Sequence, residues 1–177
     1  PGDGQRKPKY WTLMFSLSEL NEAMGMDRFR NGVVDWSPAH IHGFEMNQFD
    51  LDIFRHNPDQ MDNLHVYAKN GLAYSGLCDG QVICMFGMFP YWPGVWEAWM
   101  IPSKHLTRKS WVFHRGALRF FEFAAERASV RRLQFCVHSA NVRADKWAKA
   151  CYFTREGLLR RYGPDGADYT MYSRIFE

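Results

Sequence analysis

The sequence predicts a mixed α/β fold, a mostly antiparallel central sheet with helices on both faces. Three observations carry this. Asp79-Gly80 sits between two apolar runs, the strongest short hairpin signal in the chain. Residues 110–128 show the longest helical periodicity, with Phe113, Ala117, Phe120, Phe121, Ala124 and Ala128 on one face. The apolar run 132–138 is then followed by a helix and two further strand signals, so hairpins precede a strand-helix-strand-helix unit.

The elements follow in chain order. Residues 1–9 are rich in Gly, Pro and Lys and read as a tail. Ser16 or Ser18 caps a short helix through Glu22 that ends near Gly25, and residues 1–31 together read as an N-terminal extension to a domain spanning 32–177. Residues 32–35 form a short strand. Ser37-Pro38 starts a helical stretch, and the spacing of Ile41, Phe44, Phe49, Ile53 and Phe54 suggests one or two short helices broken around Asn47. Asp59 opens a helix to Ala68. Strands at 72–77 and 81–89 flank the Asp79-Gly80 turn, and a third at 95–101 is halted by Pro102. The long helix, the strand at 132–138 and a helix capped by Asn141 come next. Strands at 158–162 and 168–175 close the chain around Pro164-Asp165-Gly166.

Composition narrows the function. The 177 residues fit one domain, and 46% apolar content excludes a wholly disordered chain. A net charge of +3, with short basic runs near residues 104–109, 127–132 and 155–161, favours a small anionic ligand over a nucleic acid. Cys78, Cys84, Cys136 and Cys151 show neither disulfide nor metal-ligand spacing and read as reduced thiols, so no metal is expected and the location is cytoplasmic. No run approaches the roughly 18–20 apolar residues of a membrane span, so no membrane partner is expected.

Several local motifs agree with the element order. Asn141-Val142-Arg143-Ala144 through Tyr152-Phe153 resembles the N-x-x-A…G-F element of the GNAT N-acetyltransferases. Glu156-Gly157-Leu158-Leu159-Arg160 and Asp168-Tyr169 with Met171-Tyr172 resemble their closing hairpin, and 78–87 their second and third strands. The match covers roughly 32–176 and is nearest to GNAT-like proteins of tailed bacteriophages. It implies a GNAT-like acyl-CoA-binding domain, acetyl-CoA or CoA as cofactor, and an amine of a small molecule or protein as acceptor.

The resemblance also assigns residues. Strand 95–101 corresponds to the fourth family strand, and the backbone N–H of Met100 or Ile101 would meet the thioester carbonyl. Lys104, Arg108, Lys109 and Ser110 fall at the phosphate loop, where KHLTRKS contains none of the family's glycines, so either charge replaces close backbone approach or the segment is only a solvated, basic helix start. Asn141 would contact the pantetheine arm as well as cap its helix. Ala148 stands where many members have the tyrosine that protonates the departing thiolate, and Tyr152 is the nearby alternative. Glu97, between Trp96 and Trp99, is the general-base candidate if desolvated, or else a residue of the strand's polar face; His138 at a strand end is the second candidate. Glu45, Asp50 and Asp52 lie on the acceptor side and would either meet a cation or only solvate that face.

Two functions are therefore open. One is acyl-CoA-dependent N-acetyl transfer. The other is a catalytically weak GNAT-fold phage protein that binds and modulates a host enzyme, for which the missing glycines, Ala148 and the aromatic loop Phe89-Pro90-Tyr91-Trp92-Pro93 argue.

Overall fold

The computed structural model describes residues 15–27, 30–106 and 110–177. Helix α1 (Leu17–Met24) opens on a capping box in which Ser16 and Glu19 satisfy each other's backbone N–H, and it closes on Gly25 in the left-handed region. The helix expected within the N-terminal extension is not peripheral. Leu20 and Met24 are buried in the main core, against α4 (Ser110–Arg127).

Seven strands form one sheet in the order β1-β2-β3-β4-β5-β7-β6. They are β1 (Asn31–Asp35), β2 (Leu72–Cys78), β3 (Gln81–Trp92), β4 (Val95–Pro102), β5 (Arg132–His138), β6 (Thr154–Leu159) and β7 (Tyr169–Ile175). Every neighbouring pair is antiparallel except β4 and β5, which α4 joins as a parallel crossover. The mixed, mostly antiparallel sheet is as the sequence predicts. Three boundaries differ. The aromatic loop expected at 89–93 is largely strand, because β3 pairs with β4 as far as Trp92↔Val95. The stretch 39–54 resolves into a 3-10 turn (Pro38–Ile41) and α2 (Gln48–His56), separated by a turn at 42–43 and the isolated bridge Met46↔Ser103. The penultimate strand lies at Thr154–Leu159, not 158–162, and the register shift around Glu156 lets that side chain turn to Arg132 and Ser173.

Side chains alternate across the sheet, and each face has its own core. On one face Trp96, Phe120, Ala124, Leu133 and Tyr172 pack beneath α1, α4 and α5 (Val142–Ala150). On the other, Leu64, Met85 and Ile101 pack with Trp36, Phe44, Met61, Tyr67 and Trp99 beneath α2 and α3 (Gln60–Asn70). Gly87 shows how tightly the sheet is built: an added Cβ would lie 2.0 Å from the Leu72 carbonyl oxygen and 2.9 Å from the Trp99 ring.

Candidate active site

The site follows from how β4 and β5 are held. They pair only at Val95↔Arg132, Trp96↔Leu133 and Glu97↔Gln134. Beyond that point each strand stays with its outer neighbour, β4 with β3 to Pro102 and β5 with β7 to His138↔Tyr169. The sheet therefore opens into a wedge with Glu97 at its vertex. Pairing between β4 and β5 ends there, five residues before the Pro102 stop expected from sequence. The facing edges of residues 98–101 and 135–138 make no ladder to each other, which leaves backbone donors and acceptors for a ligand.

A cavity of about 200 Å³ runs through the wedge and reaches both sides of the sheet. On the α4–α5 side it is lined by Met100, Phe113, Gly116, Phe135, Asn141 and Trp147; on the α2–α3 side by Phe49, Asp50, Ile53, Trp99, His138 and Tyr169. Trp99 and Trp147 each bury an indole Nε1–H that meets no acceptor. Buried donors without partners are rare and costly.

Two carboxyls stand on the α2–α3 side. Asp50 is placed by the start of α2, where Asn47 caps the helix by accepting from the N–H groups of Phe49 (3.0 Å) and Asp50 (3.3 Å). The Asn47 side-chain amide also donates to the Asp50 carboxyl and to the Pro102 carbonyl at 3.4 Å, which ties α2 to the end of β4. Burial pushes the Asp50 carboxyl up to about 7, while the Asn47 hydrogen bond pulls the other way. Glu97 is half-buried and accepts from Gln134 Nε2 at 3.3 Å; burial raises its carboxyl above the ordinary range. It stands at the vertex and does not itself line the cavity.

His138 is at the wide end of the wedge. Its Nδ1 accepts from the Ala140 N–H at 3.1 Å, which leaves Nε2 to carry the proton of the neutral ring. Nε2 lies 4.0 Å from the Asp165 carboxylate, and the ring is 4.9 Å from Phe49 and 5.3 Å from Tyr169. Cys136, between the two carboxyls along β5, is pushed up to about 11, by burial and then by the Glu97 charge, so it is a thiol at neutral pH.

The structure therefore gathers some of the sequence candidates and separates others. Met100, His138 and Asn141 meet at the cavity, with Asn141 Oδ1 accepting from the Ala144 N–H at 3.1 Å. The Ile101 side chain turns to the opposite core, although its backbone lies along the wedge. Tyr152 is not brought to this group. It is 69% exposed, in the left-handed region just beyond α5, with the Arg174 guanidinium 5.4 Å from its ring. Ala148 is fully buried in the core. The Lys104 ammonium pairs with Glu45 at 2.7 Å, and His105 joins the same carboxylate. Arg108 and Lys109 lie outside the described residues, and Ser110 is the first residue of α4. Among the described residues no group of three or more His, Cys, Asp or Glu is arranged to hold a metal, and no helix is long and apolar enough to cross a membrane.

Sequence reasoning placed Asp50 among the acceptor-side carboxylates and missed its burial against the wedge. Asn47, three residues before it, signals a cap, but only the approach of β5 and β7 desolvates the carboxyl.

No family model matches the chain, and no curated protein matches it. Solved structures do. The GNAT-family acetyltransferase from Bacillus anthracis superposes with a TM-score of 0.64 at 11% identity, covering 82% of this chain and 95% of that one. The IAA acetyltransferase from Bacillus cereus ATCC 14579 gives 0.62 at 15%, covering 82% and 99%. RimL, the ribosomal L7/L12 alpha-N-protein acetyltransferase, solved in complex with coenzyme A, gives 0.62 at 12%, covering 83% and 94%. With its seven-stranded sheet opened between β4 and β5, the chain has the fold of the GNAT acetyltransferases.

Proposed function

We propose that the chain binds acyl-CoA in the wedge and transfers the acyl group, acetyl in the simplest case, to an amine that enters from the α2–α3 side. The observation that carries this is the cavity that crosses the sheet through the wedge, with an apolar α4–α5 side, Asp50 lining its other side and Glu97 at the vertex of the wedge.

Bound acyl-CoA supplies an activated thioester. The chain's own groups do the rest. The β4 edge at Met100 and Ile101 offers backbone N–H to the acyl oxygen, where negative charge develops. Asn141 and the start of α5 orient the arm. Lys104, Arg108, Lys109 and Ser110 meet the phosphates by charge and hydroxyl, in place of a glycine loop. Glu97, with its raised affinity for a proton, takes one from the incoming ammonium, and His138 on the same face is the second group that moves a proton. Tyr152, outside the cavity, receives no role.

The neighbouring RimL complex with coenzyme A supports the choice of cofactor. Isothermal titration with acetyl-CoA and with desulfo-CoA tests it. Micromolar binding that weakens on changing Arg108 and Lys109 to Ala is expected, and no binding at millimolar cofactor rejects the reading.

A second reading has one observation in its favour. The β3–β4 turn leaves Tyr91 51% and Trp92 67% exposed, which suits docking on a protein. A phage protein that modulates a host enzyme would use such a patch. CoA binding without turnover on any amine would favour this alternative.

A further inference from the structure

Asp50 and Glu97 are desolvated carboxyls to which no described residue supplies a cation. Other acids meet bases: Glu156 with Arg132, Glu45 with Lys104, Glu122 with Arg174. Asp50 and Glu97 meet only the neutral amides of Asn47 and Gln134, and no Lys, Arg or His among the described residues pairs with either. Removing a carboxylate from water without a counter-charge is expensive, and a ligand that supplies the charge recovers that cost.

We propose that these two carboxyls receive a dicationic acceptor, an α,ω-diamine or the end of a polyamine, with the reacting ammonium at Glu97 and the distal one at Asp50. Which amine reacts rests on the acyl-transfer reading; the two-point binding does not. Glu97 is opposite Gln134, and Asp50 follows Phe49, whose ring lies on His138. Four residues of β5 separate Gln134 from His138, roughly 13 Å of strand. That span leaves room for a short methylene chain with a charge-assisted hydrogen bond of about 2.8 Å at each end.

The walls suit such a molecule. Cys136 and Trp99 line the cavity with Asp50, and Cys136 also lies within reach of the Glu97 charge. The phenols of Tyr67, Tyr91 and Tyr162 all sense the Glu97 charge, and Phe49 and Tyr169 flank His138. Aromatic faces attract ammonium groups and tolerate methylenes. A monoamine would leave one carboxyl unpaired, and an amino acid would set a carboxylate against Asp50.

The test is equilibrium titration of the full chain with 1,6-diaminohexane, hexylamine and 6-aminohexanoate, with CoA titrated separately. The diamine is expected to bind at least tenfold more tightly than hexylamine, and 6-aminohexanoate no better than hexylamine. Asp50→Asn and Glu97→Gln should each abolish the diamine preference and leave CoA affinity within twofold. Equal binding of diamine and hexylamine, or a preference that survives both variants, overturns the proposal. CoA binding without diamine preference rejects the dication site alone, whereas diamine preference without CoA binding supports that site and removes acyl transfer. The three-ligand comparison on the unaltered chain decides the matter even if a variant fails to fold.

Discussion

Changing Asp50 to Asn should alter the pH dependence of folding in a calculable way. The folded carboxyl holds its proton up to about pH 7, against an ordinary value of 3.8. The folded state therefore binds this proton more tightly than the unfolded chain does. The stabilisation is complete below about pH 4 and is lost as the pH rises through 7, at about 1.4 kcal/mol per pH unit in between. Between pH 5 and 8 the loss is about 3 kcal/mol, an upper figure because water entry and relaxation reduce it. Asparagine keeps the shape and cannot ionise, so Asp50→Asn should gain up to this amount relative to the unaltered chain over that range. Glu97 also holds its proton above the ordinary range, but it is common to both proteins and cancels in the difference. Urea unfolding at pH 5, 6, 7 and 8 measures the two curves. Stability profiles that run parallel from pH 5 to 8 would refute the argument, because they would mean that Asp50 is as well solvated in the folded chain as in the unfolded one.

Other expectations follow from the same geometry. Phe120→Ala, at 2% exposure between Tyr74 and Phe86, should cost about 3–5 kcal/mol in denaturant unfolding. Gly87→Ala, pressed against the Leu72 carbonyl, should cost about 1–3 kcal/mol and lower the thermal midpoint, because backbone and not a flexible side chain is in the way. Glu156, held down to about 2 first by Arg132 and then by Ser173, contributes stability present above its unfolded value and lost as pH falls from about 4.5 towards 2. Its partial exposure limits that contribution to about 1 kcal/mol, measurable as a flatter acid limb in Glu156→Gln. If acyl transfer is the activity, Glu97→Gln should lower turnover at least 100-fold with little change in CoA affinity, read by thiol release and titration.

Much of the fold was legible because it rests on local rules. The Asp79-Gly80 hairpin, the apolar stripe of α4 and the Asn141 cap each need only a few neighbouring residues, and all three are present. The strand expected at 158–162 was displaced for a physical reason. β6 is an edge strand whose residues are mostly exposed, so its composition carries little apolar alternation, and Leu158-Leu159 drew the reading four residues too far. The N-terminal helix was set apart as an extension because its sequence is mixed; its Leu20 and Met24 join the core only once α4 is beside them.

The candidate site was legible as residue types and not as a constellation. Met100, His138 and Asn141 were named and do meet, whereas Tyr152, chosen by position along α5, faces outward. By itself the sequence determined most of the helices and strands, the Asp79-Gly80 turn and the apolar face of the long helix, since those follow from periodicity and short-range capping. Only the tertiary structure decided that β4 and β5 part after Glu97↔Gln134, since alternation looks the same in a paired strand and a splayed one. It also decided that Asp50 loses its water, because burial is a property of what β5, β7 and the end of β4 bring to α2, and not of α2 itself.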